Sequence, residues 1–297
     1  MRVGVTVPMS VSDGPGRISS WPEILAFARH AEAIGLDSIW VCDHFLSSPP
    51  GGEVEGIHEG WTILSALAAS TRRVEVGSLV MCNSFRNPAL LPKMAVSADA
   101  VSGSRLVLGL GAGWYDAEYV AFGYPTDHRV GRFEEALQII KALLSGDSVT
   151  FGGRYYRVCE AALLPPPQRP IPILVAGKGP RLLSLVAHHA DAWNTAWFGK
   201  PDDRLRRRLS DLEEALAAER RDPTTLRLTV GMDVQDPDAA GSGGTGDVPF
   251  RGSISELAEA LDEYAELGFD DVIVGLEPRS ERSLDRLAEA TARTSGT

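Results

Sequence analysis

The chain has 297 residues, 44% of them hydrophobic and 23% charged, with 29 Lys+Arg against 40 Asp+Glu and a formal net charge of −11. This is ordinary globular composition, and its acidic balance repels phosphate backbones, which excludes nucleic acid as an expected partner. No apolar run nears the roughly 20 residues that span a bilayer, so no membrane partner is expected, and the absence of a basic and apolar leader before RVGVTV sets the expectation of a cytoplasmic protein.

In chain order, short β-rich runs alternate with longer amphipathic stretches. Strands are predicted at 3–7, 38–41, 74–80, 106–110, 172–176, 191–194, 226–231 and 271–275, each of the apolar kind that is covered on both faces. A helix is predicted after each, at 21–34, 60–70, 89–102, 129–145, 180–189, 202–220, 253–267 and 280–294. Pro22 falls in the first turn of the first helix, where a missing N–H costs nothing. Ser253 and Glu256 have capping-box spacing, and Ile254, Leu257, Ala258, Leu261 and Ala265 share one helical face. Gly35 and Gly268 are placed as left-handed stops.

Eight β-then-α units in series admit a closed barrel or an open doubly wound sheet. The count of eight predicts an α/β fold of the (β/α)8 TIM-barrel kind, whose usual size is about 250 residues. No linker divides the chain, so residues 1–297 are expected to form one domain with two insertions. Residues 147–170 read as a hairpin, VTF-GG-RYYRV, with a proline-rich return. Residues 235–252 are rich in Gly and Asp and are expected to form a flexible loop over the barrel mouth.

Polar residues cluster after the strands, where barrel active sites lie. Asp43 and His44 follow the second strand; they are either a proton-moving pair beside a cofactor ring or a helix cap with a part-exposed imidazole. Arg86 could face an anion, but a local ion pair is the stronger reading. The small residues of the run Gly77-Ser78-Leu79-Val80 would let a flat ligand approach the backbone; the alternating Gly109, Gly111 and Gly113 read as a crowded barrel strand whose end abuts a ring, since a Rossmann site fails on the missing third glycine and on chain position. Gly177, Lys178, Gly179 and Arg181 sit at a helix start, a cradle for a phosphate or an ordinary Gly-Pro helix beginning. The adjacent His188 and His189 point about 100° apart, and Cys42, Cys82 and Cys159 are far apart, so no metal site or disulfide is expected.

The blocks AxxIGLDSIWVCDHF, FRNPALLPK, SGSRLVLGLGAGWYDAEYVAFGYP, RFEEALQIIKALL and VAGKGPRLLSLVAHHADAWNT, in this order, resemble the luciferase-like superfamily over nearly the whole chain, in its branch with F420-dependent reductases and related FMN enzymes. The resemblance implies a barrel that holds a deazaflavin or flavin ring at its C-terminal mouth and transfers a hydride to or from a small organic substrate. It implies that Asp43 anchors the ring edge and His44 gives or takes a proton. Leu79-Val80 matches the place where many members carry a bulged, often cis, peptide behind the ring, and Cys82 stands where a hydroxyl residue is common. Ala112, Gly113 and Trp114 replace a polar residue of some F420-dependent sugar-phosphate dehydrogenases, so a sugar phosphate is not inferred. Gly177 to Arg181 matches the phosphate loop. Coenzyme F420 is favoured over FMN, because the blocks around GLGAGW and AGKGPR are most similar to the F420-associated branch; Lys178, Arg181 and Arg86 add mild support as a basic path for its acidic tail, though they could equally serve an acidic substrate. The resemblance also suggests a homodimer. FMN chemistry would instead make the chain a monooxygenase supplied by a partner flavin reductase, and a non-catalytic flavin binder is a further alternative.

Overall fold

A computed structural model of the chain describes residues 1–11, 13, 17–47, 54–238 and 248–294. Eight strands form the barrel: β1 Arg2–Thr6, β2 Ser38–Val41, β3 Glu75–Ser78, β4 Leu106–Gly111, β5 Ile173–Ala176, β6 Ala192–Phe198, β7 Arg227–Gln235 and β8 Asp271–Glu277. Each pairs in parallel with its sequence neighbours, and β1 pairs β8, which closes the ring. After Ser78 the third stave resumes as Met81–Cys82, opposite Leu110 and Gly111 of β4. The barrel predicted from the sequence is the observed fold.

Alternation along the strands separates two cores. Ile39 and Val41, Leu106 and Leu108, Ile173 and Val175, and Val272 and Val274 face outward into the large core shared with the helices. Trp40, Val107, Leu174, Ala192 and Ile273 face inward and form a separate cluster, with Leu79, Val80 and Ala176 packed against it. The glycines of the staves make room for protein rather than ligand. A Cβ on Gly77 would lie 2.3 Å from the Trp40 ring, and one on Gly231 would lie 2.8 Å from the Trp197 ring. A Cβ on Gly109 would meet the Ser78 carbonyl oxygen at 1.8 Å. At Gly77 the space is taken by the Trp40 ring, and at Gly109 the neighbouring strand closes in, the crowding read for that strand from its alternating glycines.

The helices are α1 Trp21–Ala33, α2 Gly60–Ser70, α3 Leu90–Ser102, α4 Asp116–Phe122, α5 Arg129–Leu144, α6 Pro180–His189, α7 Asp203–Ala218, α8 Ile254–Glu266 and α9 Glu281–Thr291. All but α4 lie where the sequence places them. The Ser253–Glu256 capping box is formed, and Gly35 and Gly268 take positive φ of 99° and 86°. Strands Val149–Gly152 and Arg157–Ala161 pair as the expected hairpin. In the second insertion, Gln235 N–H donates to Phe250 O at 2.8 Å and Phe250 N–H donates to Asp233 O at 2.8 Å, tying its two ends to β7. The centre of the expected loop, 239–247, lies outside the described residues. Among the described residues no helix is long and apolar enough to cross a membrane.

Candidate active site at the barrel mouth

Asp43 and His44 leave the C-terminal end of β2 side by side but do different things. The Asp43 side chain has no exposure, and Arg86 beside it is 9% exposed. Asp43 Oδ2 accepts from Arg86 Nη1 at 2.6 Å and from Cys82 N–H at 2.8 Å, and Oδ1 accepts from Arg86 Nη2 at 2.9 Å. Burial raises the Asp43 carboxyl above its ordinary value, even against these donors. Arg86 also donates to Glu59, whose carboxylate caps α2 through Trp61 N–H and Thr62 N–H. The local ion pair read for Arg86 is thus present. The Asp43 carboxylate is enclosed, and its bonds to Arg86 and to Cys82 N–H tie the loop after β2 to the end of the third stave.

His44 is one-third exposed, and its Nδ1 lies 3.0 Å from Glu118 Oε2. Glu118 is 2% exposed and also accepts from Phe45 N–H at 2.5 Å and Leu46 N–H at 3.0 Å. Burial pushes the Glu118 carboxyl up, but the His44 hydrogen bond and charge and the two backbone donors outweigh it, and the group stays below its ordinary value. An ionised carboxylate only accepts, so Nδ1 carries a proton, and in the neutral ring Nε2 is the nitrogen without one. The orienting carboxylate comes from α4, 74 residues away. The sequence reading missed it, although Glu118 stands within the block GLGAGWYDAEY.

The Leu79–Val80 peptide is cis, and both side chains sit with Ala176 at the top of the inner cluster as an apolar wall. Behind it, a Cβ on Gly111 would meet Val80 Cγ2 at 2.7 Å. Gly111 is therefore required by the wall, which leaves no room for a side chain there. Gly113 has φ +81°, and a Cβ there would meet the Tyr119 hydroxyl at 1.9 Å, so its role too is internal. Cys82 is 7% exposed and lies in a satellite cluster with Phe85 and Tyr119. Its Sγ is 3.2 Å from Tyr119 Oη, whose hydroxyl also contacts Ser84 Oγ at 3.0 Å and Ala112 O at 3.1 Å. Burial pushes the Cys82 thiol up, and the thiol packs against Phe85 and Tyr119. Ala112 presents a methyl group and is 8% exposed.

Gly179 stands at the N-terminus of α6 with φ +89° and open space where a Cβ would be. Pro180 follows, and the next N–H groups of the helix have no side-chain cap. Trp193 Nε1 donates to Gly177 O at 3.0 Å and fixes the loop's stem. Lys178 is exposed, whereas Arg181 is paired with Glu134 at 2.6 Å. Lys178→Ala is therefore expected to weaken binding of a phosphorylated cofactor by roughly 1–3 kcal/mol relative to its dephosphorylated analogue, with a smaller effect for Arg181→Ala. Paired titrations of the two analogues check this; equal losses for both would place the phosphate elsewhere.

Comparison with known proteins places this geometry. A family model described as luciferase-like monooxygenase matches residues 1–235, and the chain belongs to that family. It is 32% identical over 177 residues to the F420-dependent glucose-6-phosphate dehydrogenase of Amycolatopsis mediterranei, covering 58% of this chain and 52% of that one. It is 32% identical to the F420-dependent hydroxymycolic acid dehydrogenase of Mycobacterium tuberculosis over 76% of this chain and 64% of that one. The chain thus matches about half to two thirds of the length of these relatives. A solved F420-dependent secondary alcohol dehydrogenase, in complex with an F420-acetone adduct, superposes with a TM-score of 0.80 at 19% identity over 98% of both chains, a likeness of fold.

Proposed function

We propose that the chain is a coenzyme F420-dependent oxidoreductase that transfers a hydride between the deazaflavin and a small organic substrate. The observation that carries this reading is the His44–Glu118 pair after β2, 3.0 Å apart and one-third open on the imidazole side, in a barrel whose inner cluster is covered by the apolar side chains of Leu79, Val80 and Ala176. The F420-dependent activities of the relatives support the choice of cofactor.

The residues present fit such a group. The α6 N-terminus with Gly177, Lys178 and Gly179 suits a phosphate, and an uncharged wall suits a ring. When bound, the deazaflavin supplies a two-electron hydride donor or acceptor. The chain supplies the rest. Glu118 holds His44 in one tautomer and orientation. His44 Nε2 takes the proton of a substrate hydroxyl, or returns it to a carbonyl oxygen. Asp43 and Arg86 fix the loop that carries His44. Leu79, Val80 and Ala176 exclude water from the reacting face.

A side-by-side titration with oxidised F420 and FMN tests the proposal. Tighter F420 binding and F420-linked oxidation or reduction of an alcohol–ketone pair are expected. Tighter FMN binding with oxygen-dependent product formation would replace it by a monooxygenase fed by a flavin reductase.

A further inference from the structure

Beside His44 stands a side chain that the proton-transfer machinery does not use. Trp114 follows β4 at the barrel mouth and is 70% exposed. Its ring centroid is 5.6 Å from that of His44, with the planes at 73°. Tyr115 lies 5.4 Å from the indole and 6.4 Å from the imidazole. The backbone beneath is held firmly: Arg129 Nη1 donates to Trp114 O at 3.1 Å, and Gly113 before it is locked against Tyr119. The indole is thus displayed on a fixed stem rather than left on a loose loop. The cations of this corner are already engaged. Arg129 pairs with Asp116 and stacks over Tyr119, and Arg86 pairs with Asp43 and Glu59. Ala112 adds only a methyl group at the strand end.

We infer that Trp114 sets substrate specificity by stacking on an uncharged aryl group, attached to the carbon whose oxygen meets His44. An aromatic face next to two other rings rewards a planar apolar body, and Arg86 and Arg129, the cations described beside it, are already paired, which leaves a phosphate or carboxylate little to bind at this corner. This inference rests on the oxidoreductase reading for the carbinol or carbonyl part of the ligand, but not for the aryl part.

The test uses the full chain with acetophenone and acetone as probes and glucose 6-phosphate as the charged control. Binding is measured by calorimetry without cofactor, and KM and kcat are measured with it. Acetophenone is expected to bind at least ten-fold more tightly than acetone, and glucose 6-phosphate more weakly than acetophenone. Trp114→Ala is expected to lose roughly ten-fold in acetophenone binding, the scale of one aromatic pair, with acetone changed by less than about two-fold. The loss should fall on KM rather than kcat, and Trp114→Phe should recover most of it. No aryl preference in the wild type, or equal losses for both ketones, would overturn the inference. A cofactor titration on the same sample keeps the two ideas apart: an intact aryl preference without F420 binding would remove the oxidoreductase reading and leave the aryl site.

Discussion

His44→Ala is expected to lower turnover by about 10²-fold or more while leaving the cofactor dissociation constant within a few-fold. The imidazole contributes a proton-accepting Nε2 only because Glu118 occupies Nδ1 at 3.0 Å. Glu118→Gln should therefore also slow turnover, since an amide placed to donate to Nδ1 favours the other tautomer. The amide oxygen can still accept from Phe45 N–H and Leu46 N–H, so the loop keeps its shape. Steady-state rates over a pH series, with cofactor binding measured alongside, check both variants. Unchanged turnover in His44→Ala with lost cofactor binding would make the histidine a ring contact only.

Arg86→Met should cost roughly 3–5 kcal/mol of stability, because it strands a buried carboxylate, on the order of 10 °C in Tm. Asp43 has no side-chain exposure and would keep Cys82 N–H as its remaining partner of the three donors. The sign with pH follows from its raised carboxyl. A carboxyl that is raised in the fold is protonated there at pH values where the unfolded chain has lost its proton. Stability from this group is complete below the ordinary aspartate value and is lost as pH rises through the raised one. Without the guanidinium that window widens, so the deficit of Arg86→Met should grow with pH. Adding Asp43→Asn to Arg86→Met should recover part of the loss. Denaturant titrations of the single and double variants at acidic and neutral pH measure the coupling.

The staves and their helices were legible in the sequence because each is a local pattern. Strand positions agree within one or two residues at most ends, and the larger misses have a common cause. β6 runs to Phe198 and β7 to Gln235, beyond the predicted 194 and 231. Their C-terminal halves carry Trp197, Asp233 and Gln235, which read as rim loop because the polar groups point inward. α4 was missed because its first residue follows Tyr115, which offers no cap, and because Val120 and Phe122 are exposed, which hides the apolar stripe. With α4 went Glu118, the one carboxylate that orients His44. A contact across 74 residues leaves no spacing to read. The glycines were legible as crowded strand positions, but not the side chains that crowd them. Their sequence shows absent side chains, and only the packed barrel shows that Trp40, Val80 and Ser78 fill the gaps.

The backbone clasp between β7 and Phe250 separates two properties that are usually coupled. Since Gln235 and Asp233 hold Phe250 from both sides, the segment between them is a closed loop whose ends do not move when its length changes. The entropic cost of such a loop rises with the logarithm of its length, about 0.6 kcal/mol for each doubling. Variation of this segment between sequences, by insertion or by drift in composition, is nearly silent for barrel stability. By that measure, doubling the length of the segment is expected to change the stability of the barrel by less than about 1 kcal/mol, which denaturant titration of such a variant would check.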